Sequence, residues 1–507
     1  MTPTGSIIST VTNDCPMRTL HPLLPLLVCA VLAACSHVDK DFSLPGGAII
    51  YPDYAGVTVP PSICPLDFVI ADSTLASAHV KIKGEKSSFT VHAHQGVVRI
   101  PLRRWHRLLR KEAGNTLTIS FGAHSFPIHI STDDIDYGLN YRLIAPGYEV
   151  YSHMGIYERD LTSFRERPLI ENTQFLGCVN CHAYNRGNPE NFSLHIRGDH
   201  GATLLRHDGR LDAYNTRTDS TLGFCVYPYW HPSGRYIAYS TNNTRQGFHV
   251  QQDKLVEVFD LASDMQVYDV GHGEIITVPH LKRDSVWETF PAFSSDGKTL
   301  YYCAATARPI PSEVALIRYN LCSVPFDASK GTFGNRIDTL IYAEAEEKSI
   351  SFPKPSYNGR YLLYTLSDYG NFSIWHHEAD LWLLDLATGE RRSLGTCEQP
   401  SPKGETVNSN DTESYHSWSS NSRWFVFSSR RDDGLHTRLY LCHIADDGTC
   451  GKPFMLPQRN PRHYYDAQFR SYNVPEFVMA PVRFPRNHAE RLINSPRRTP
   501  FVYRSTH

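Results

Sequence analysis

The sequence predicts a mainly β protein, in which an N-terminal β-sandwich is followed by a short linker segment and a C-terminal β-propeller of five or six blades. Two patterns lead to this prediction. Short segments of alternating polar and apolar residues fill positions 45–133, and a hairpin-like motif recurs at constant spacing from about position 225. The composition agrees, because 41% of the 507 residues are hydrophobic and 12% are aromatic, which suits a globular chain with sizeable cores.

The N-terminus, residues 1–34, has the order of a secretory signal. Met17 and Arg18 precede an apolar stretch at 23–34, which is shorter than the roughly 20 residues of a membrane span. The signal fits a translation start at the second methionine better than one at the first. Its ending, Leu-Ala-Ala-Cys, resembles the lipobox of bacterial lipoproteins, which implies cleavage before Cys35 and a diacylglycerol anchor on its thiol. An ordinary signal peptide that happens to contain a cysteine is the alternative.

Both alternatives make the protein an exported one. With the lipid anchor, residues 35–44 become a polar tether, and the chain is a membrane-attached lipoprotein that faces the periplasm. The outer membrane is favoured over the inner membrane.

The predicted sandwich covers residues 45–133. Six segments alternate as half-buried strands do, at 66–70, 79–82, 89–92, 97–100, 117–121 and 127–130. Strands at this spacing are typical of a small antiparallel sandwich. The segment 105–110 predicts a short helix that closes one end of the core. This region contains no constellation of catalytic residue types.

The linker, residues 134–200, contains the motif Cys178-Val179-Asn180-Cys181-His182. From the counts of 12 Cys and 25 His, roughly 0.014 Cys-x-x-Cys-His matches are expected by chance. Two thiols at this spacing can add to the two vinyl groups of haem, and the adjacent histidine then becomes an axial iron ligand. We therefore predict one covalent haem c at Cys178 and Cys181 with His182 bound to iron. This attachment takes place outside the cytoplasm, in agreement with the N-terminal signal.

The flanks of the motif offer further haem ligands. His195, Met154 and His200 are candidates for the sixth iron ligand, with His195 preferred because its segment alternates like a strand. Arg142 and Arg197 are suited to pair with haem propionates.

Three other interpretations of the motif remain. A structural zinc site would use Cys178, Cys181 and a pair such as His182 and His195, but no second Cys-x-x-Cys supports it. The two cysteines could also form a disulfide. A thioredoxin-like redox pair is disfavoured, because the motif does not lie in a βαβ pattern.

The propeller is predicted at 201–485, with a C-terminal tail at 486–507. Four segments repeat at intervals of 62 or 63 residues, at 227–239, 290–302, 352–364 and 415–427. Each consists of a strand, a tight turn and a second strand, and further strands follow at 256–263 and 381–389, as in a propeller blade. These motifs resemble the repeats of TolB-type β-propellers, over about 225–480.

The repeat period exceeds the roughly 40–45 residues of a related propeller blade, so each blade is expected to carry a long loop. Examples are 241–253 and 367–380. The segment 202–214 is a degenerate hairpin that could start another blade, and the C-terminal region could close the ring.

Charge and motifs exclude several functions. The net charge of −2 provides no field for nucleic acid, so no nucleic-acid partner is expected. The chain has no Gly-x-Ser-x-Gly, phosphate-loop or His-Glu-x-x-His motif to favour a hydrolase or a kinase.

The layout as a whole resembles bacterial lipoproteins that join a Cys-x-x-Cys-His cytochrome motif to a TolB-like propeller. The resemblance implies a periplasmic or outer-membrane-associated role but no defined reaction. We expect a lipid-anchored monohaem c-type cytochrome that transfers electrons in the cell envelope, with the propeller as docking platform for a redox partner. The alternative is an envelope binding scaffold whose haem or metal centre is structural. A haem enzyme similar to the propeller nitrite reductases is disfavoured, because the sequence shows no site for a second haem.

Overall fold

The computed structural model describes residues 49–146, 153–175, 177–219, 221–249, 255–396, 398–467 and 469–504. The predicted signal, the tether and Cys35 lie outside these residues. Strands dominate the described chain, which confirms a mainly β protein, and its α-helices are α1 (Leu102–Lys111), α2 (Pro461–Ala467) and α3 (Arg486–Asn494). Among the described residues, no helix combines the length and the apolar character needed to cross a membrane.

The N-terminal region folds as a sheet of eight strands. In spatial order they are Ile50–Tyr51, Phe68–Ile70, Val97–Val98, Ser88–His94, His79–Lys83, Thr116–Phe121, His124–Ile130 and Thr58–Val59. The predicted alternation is present, since Val80 and Ile82 are buried while Lys81 is exposed. The sequence predicted two stacked sheets. The structure joins the strands in one hydrogen-bonded order through Ser88–His94, which pairs with His79–Lys83 over residues 88–92 and with Val97–Val98 over residues 93–94. The stacking of two sheets stays a prediction.

Six further sheets of the described chain are the blades of a propeller. From the inner to the outer strand, blade 1 consists of Ser471–Val478, Gly138–Ile144, Gly155–Asp160 and Glu166–Glu171. Blade 2 consists of Cys178–Asn185, Asn188–Arg197, Ala202–His207 and Arg210–Asn215. Blade 3 consists of Cys225–Trp230, Tyr236–Phe248, Val256–Asp269 and Glu274–Ile276.

The remaining blades follow in chain order. Blade 4 consists of Val286–Phe293, Thr299–Thr306 and Asn320–Asp327, the last of which pairs with both Thr332–Phe333 and Asp338–Ile341. Blade 5 consists of Ser349–Pro355, Tyr361–Ser367, Asp380–Asp385 and Arg391–Ser393. Blade 6 consists of Glu413–Trp418, Trp424–Ser429, Arg438–His443 and Phe454–Met455.

The blades form a closed ring. The inner strand of each blade contacts the inner strand of the next, and the inner strand of blade 2 also contacts Ser471–Val478 of blade 1. Blade 1 combines this late strand with three strands from residues 138–171, so pairing between distant parts of the chain closes the ring. The blade count is six, within the predicted range.

The structure differs from the prediction of a linker at residues 134–200. This stretch supplies three strands of blade 1 and the two inner strands of blade 2, so the propeller begins near residue 138 and not at 201. The segment 202–214, which was predicted as a possible start of a blade, forms the two outer strands of blade 2.

The four predicted hairpins are present in blades 3 to 6. In the turns of blades 4 and 5, Gly297 and Gly359 have φ values of 74° and 76°, which glycine adopts without steric cost. Of the loop expected at 241–253, positions 241–248 instead belong to the long strand Tyr236–Phe248, which pairs with Val256–Asp269 over its whole length, and positions 250–253 lie outside the described residues.

The C-terminal segment, predicted as a tail at 486–507, is attached to the propeller. Helix α3 contacts the outer strand of blade 2, and Thr499–Pro500 and Val502–Tyr503 add parallel strands to the outer edges of blades 2 and 3. Between these strands, Phe501 is buried and stacks on Tyr268, with ring centroids 3.7 Å apart.

The N-terminal sheet shares one hydrophobic core with blades 1 and 6. Phe68 of the sheet and Trp105 of α1 belong to the same buried cluster as Leu143 of blade 1 and Trp424 of blade 6. The sheet therefore covers the seam where the ring closes.

Candidate functional site

Each inner strand of the propeller contains one residue whose φ is near +50°, which is uncommon for residues other than glycine. These residues are Cys181, Tyr227, Phe290, Phe352, Tyr415 and Val474, with φ from 48° to 54°. The pairing with the second strand shifts at each of them, as at a β-bulge. All six line one central cavity, and we call them the bulge ring.

The bulge ring places the Cys-x-x-Cys-His motif in register with the propeller repeat. The six ring residues and their successors are Cys181-His182, Tyr227-Pro228, Phe290-Pro291, Phe352-Pro353, Tyr415-His416 and Val474-Pro475. Sequence reasoning treated the motif and the repeat as separate features. A signal was available, since residues 181–184 (Cys-His-Ala-Tyr) match the pattern of residues 290–293 (Phe-Pro-Ala-Phe). The match is easily missed, because Cys181 precedes Tyr227 by only 46 residues.

The bulge ring is asymmetric. Tyr227, Phe290, Phe352 and Tyr415 form a chain of aromatic contacts across blades 3 to 6, with successive centroids 4.6, 4.2 and 5.0 Å apart. Blades 1 and 2 contribute the smaller Val474 and Cys181. The aromatic rings therefore fill one side of the axis and leave space on the other side.

This space is the middle cavity, of about 100 Å³, which is lined by the bulge ring and by His182, His416, Lys354 and Glu476. It far exceeds the roughly 10–15 Å³ that one water molecule requires. The His182 side chain is buried, and among the described residues neither ring nitrogen makes a well-formed hydrogen bond, although the Asn140 backbone lies close enough to favour the protonated ring. Burial lowers the pKa of His182 to about 3, so the imidazole is neutral at physiological pH.

A second space, the upper cavity, lies next to the middle cavity and encloses about 120 Å³. Cys178, Arg142 and Arg197 line it, and Asn180 lines both cavities. Asn180 is held in place, because its Oδ1 accepts hydrogen bonds from Arg142 Nη1 at 2.6 Å and from Cys181 N at 2.8 Å. Burial raises the pKa of the Cys178 thiol, and the two guanidinium groups oppose this effect.

The three candidate sixth ligands are not among the residues that line these cavities. His200 is exposed, whereas His195 and Met154 are buried near the motif. His195 is paired across the strands with Asn180; its Nδ1 lies 3.1 Å from Thr203 Oγ1, and its buried Nε2 has no hydrogen-bond partner within the described residues. Met154 is fully buried in a cluster with Ile144 and Cys178, and its Sδ accepts a hydrogen bond from Val179 N at 3.4 Å.

The donors around the motif fit a covalent haem better than a bare metal ion. Two thiols, a buried imidazole and two guanidinium groups line two neighbouring cavities that share Arg142 and Asn180, and these are donor types that haem c uses. In the described chain, no three His, Cys, Asp or Glu side chains are gathered as a metal site. The zinc arrangement of Cys178, Cys181, His182 and His195 is therefore not assembled.

Comparison with known proteins gives similarity of fold only. No family model matches this chain, and neither does any curated protein sequence. Similar solved structures include TolB from Acinetobacter baumannii, with 10% identity, 72% of this chain and 79% of that chain covered, and a TM-score of 0.40. Another is the periplasmic gluconolactonase PpgL from Pseudomonas aeruginosa, with 14% identity, 68% and 100% covered, and a TM-score of 0.36. An oligogalacturonate lyase from Vibrio parahaemolyticus has 11% identity, 58% and 85% covered, and a TM-score of 0.34. These similarities are too low to support an argument about this chain. The assignment of a six-bladed propeller therefore depends on the strand pairing described above.

Proposed function

We propose that this protein is a monohaem c-type cytochrome that transfers electrons in the cell envelope, with its haem in the propeller channel. The observation that carries the proposal is the state of His182. Among the described residues this buried imidazole has no well-formed hydrogen bond, and leaving such a group unsatisfied is costly. In a Cys-x-x-Cys-His motif the group that would bind it is haem iron.

The thiols of the motif supply the covalent attachment. Cys178 and Cys181 would each add their S–H across one vinyl group, so that two C–S bonds form and no atom is lost. The cysteines line adjacent cavities that share Asn180, which supports attachment across the boundary between them. When bound, haem supplies reversible one-electron exchange with a redox partner of the envelope.

The remaining residues orient the group and exclude water. Arg142 and Arg197 line the upper cavity, where their guanidinium groups are placed to pair with propionates. The aromatic members of the bulge ring close the opposite side of the channel. The outer surface of the propeller would then dock the redox partner.

The proposal includes export and membrane attachment through the lipid on Cys35. Haem attachment of this kind takes place outside the cytoplasm, so the motif and the N-terminal signal support the same location. A periplasm-facing lipoprotein, preferentially of the outer membrane, satisfies both.

Mass spectrometry tests the proposal directly. The full chain is produced in a host that attaches haem to exported cytochromes, and the peptide containing residues 178–182 is weighed. We expect covalent haem in the wild type, less in Cys178→Ser or Cys181→Ser, and none in the double variant. Cys225→Ser is the matched control, because Cys225 is buried in the inner strand of blade 3 and lines neither cavity. An unmodified wild-type peptide would overturn the proposal.

A second candidate function is a binding scaffold whose centre is structural. It is favoured by the enclosure of His182 between the blades, where a bound group would link inner strands. Voltammetry separates the two. Reversible one-electron cycling supports the cytochrome, whereas a covalently attached but inert centre supports the scaffold.

A further inference from the structure

A third space, the lower cavity, lies on the side of the channel where the inner strands enter their hairpin turns. It encloses about 40 Å³, enough for more than one water molecule. Its lining includes Arg186, Tyr229, Lys354, Tyr357, Trp418 and Glu476. Lys354 and Glu476 also line the middle cavity and therefore lie between the two spaces.

Lys354 brings a cation to this boundary without a direct ionic partner. Its Nζ lies 5.0 Å from the centre of the Tyr229 ring, as in a cation–π contact. Within the described chain, no carboxylate oxygen lies within 4.0 Å of this nitrogen. Burial lowers the pKa of Lys354, and the nearby Glu476 opposes this effect.

Glu476 brings the opposite charge. One carboxylate oxygen accepts a hydrogen bond from Tyr184 N at 3.0 Å, and among the described residues the other oxygen has no hydrogen bond. Burial raises the pKa of this carboxyl to about 7. Lys354 and Glu476 thus face the same space but do not touch.

A third charged group makes the cavity electropositive on balance. Arg186 lies over the Tyr357 ring at 5.2 Å, and its Nη2 donates to Tyr357 O at 3.2 Å. Two cations and one carboxyl in an aromatic enclosure favour a ligand with a negative end and a donor end. Such a ligand would accept a hydrogen bond from Lys354 and donate one to Glu476. The two side chains are too far apart to form an ion pair with each other.

We propose that the lower cavity binds a small carboxylic acid that also carries a hydroxyl or amino group. The carboxylate accepts from Lys354 Nζ, and the hydroxyl or amino group donates to the free oxygen of Glu476. Tyr229 and Trp418 provide the aromatic walls. The site goes beyond the proposed electron transfer and does not require haem.

Calorimetric titration of the full chain tests this site. The probes are glycolate and glycine, which carry both groups, acetate, which lacks the donor, and ethylene glycol, which lacks the carboxylate. We expect saturable binding of glycolate or glycine, and binding of the other two weaker by about tenfold or more, the effect of one hydrogen bond to a charged group. Equal binding of acetate, or no saturable binding of any probe, overturns the proposal.

Variants locate the binding. Lys354→Met should abolish it and Glu476→Gln should weaken it. Lys348→Met is the matched control, because Lys348 immediately precedes the same strand but lies outside the cavity, 2.6 Å from Asp368 Oδ1. Binding that survives in a folded Lys354→Met protein overturns the proposal. The Cys178→Ser/Cys181→Ser protein should bind as the wild type does, which separates failure of this site from failure of the haem proposal.

A measurement on the wild type covers the case in which Lys354→Met does not fold. Carbamylation by cyanate is followed at Lys354 and at Lys348 by peptide mass. Glycolate or glycine should slow the reaction at Lys354 and leave Lys348 unchanged. Unprotected reaction at Lys354 under saturating probe overturns the proposal.

Discussion

His182 and His416 occupy the same position on the inner strands of blades 2 and 6, and both line the middle cavity. They differ in their hydrogen bonds. His416 Nε2 lies 3.0 Å from Leu363 O, whereas in the part of the chain that the structure describes neither nitrogen of His182 makes a well-formed hydrogen bond. The repeat therefore explains the placement of both residues, but only His182 remains available to a ligand through either nitrogen.

The sixth iron ligand can be identified from spin state. His195 does not line the two cavities, so it would reach the iron only if its ring turned toward them when haem binds. Thr203 Oγ1 contacts its Nδ1, and among the described residues its Nε2 has no hydrogen-bond partner, which is an arrangement typical of metal-binding histidines. We expect His195→Ala to convert low-spin iron to high-spin and Met154→Ala to leave the spectrum low-spin. Absorption and electron paramagnetic resonance spectra of the haem-loaded proteins provide the check. Conversion in His416→Ala with no change in His195→Ala would contradict this prediction.

The open side of the bulge ring should be necessary for haem attachment. Val474→Phe adds a fifth aromatic ring to the bulge ring, beside Cys181. The backbone conformation at position 474 matches those at Phe290 and Phe352, so it accepts phenylalanine, and the new ring should fill the cavity. We expect a folded protein with strongly reduced covalent haem, measured by peptide mass and circular dichroism. Tyr227→Phe, which removes only a hydroxyl, is the control and should load normally. Full loading of Val474→Phe would show that the cavity is not the haem site.

Lipidation should depend on Cys35, which lies outside the described residues. Cys35→Ser removes the thiol that would carry the lipid, so the variant should be released from membranes or fail to be processed. The lipid is needed for attachment because its acyl chains together give stable anchoring, which a single chain does not. Cys29→Ser, within the apolar stretch, should behave as the wild type does. Membrane fractionation and the mass of the mature N-terminus are the measurements, and normal fractionation of Cys35→Ser would contradict the lipobox interpretation.

The C-terminal segment should contribute to propeller stability. Phe501 is 3% exposed and stacks on Tyr268, so Phe501→Ala should lower the free energy of unfolding by about 3–5 kcal/mol. Its neighbour Val502 is 55% exposed, and Val502→Ala should change stability little. Denaturant titration of both variants measures the difference. Equal stabilities would mean that the segment is not part of the cooperative fold.

Stability should fall as pH rises through the titration of Asp67. Burial raises the pKa of this carboxyl from 3.8 to about 8, although Ile100 N donates to it at 2.8 Å. Because the folded state keeps a proton that the unfolded state loses, folding stability decreases between about pH 4 and pH 8. Asp67→Asn should remove the contribution of Asp67 to this decrease, whereas Glu288 and Glu476, whose pKa values burial raises to about 8 and about 7, keep theirs. The stability of the variant relative to the wild type should therefore rise with pH. Denaturant titrations at pH 5 and pH 9 test this, with Asp219→Asn at an exposed position as control.

The sequence by itself determined the local features of this protein. Alternation at positions such as 79–82 specified strands, because successive side chains of a strand point to opposite faces. The repeat of 62 or 63 residues specified the hairpins of blades 3 to 6, and the spacing of Cys178, Cys181 and His182 specified a candidate haem motif.

The tertiary structure alone decided how these features meet. Blade 1 pairs Gly138–Ile144 with Ser471–Val478, a contact between distant segments that no local pattern encodes. The same closure brings Val474 beside Cys181 on adjacent inner strands, which creates the middle cavity, and brings Glu476 to the boundary that Lys354 shares. Side-chain periodicity in the sequence indicates only which face of a strand is buried. The cavities depend on how the six inner strands are placed relative to one another, and that arrangement exists only in the closed ring.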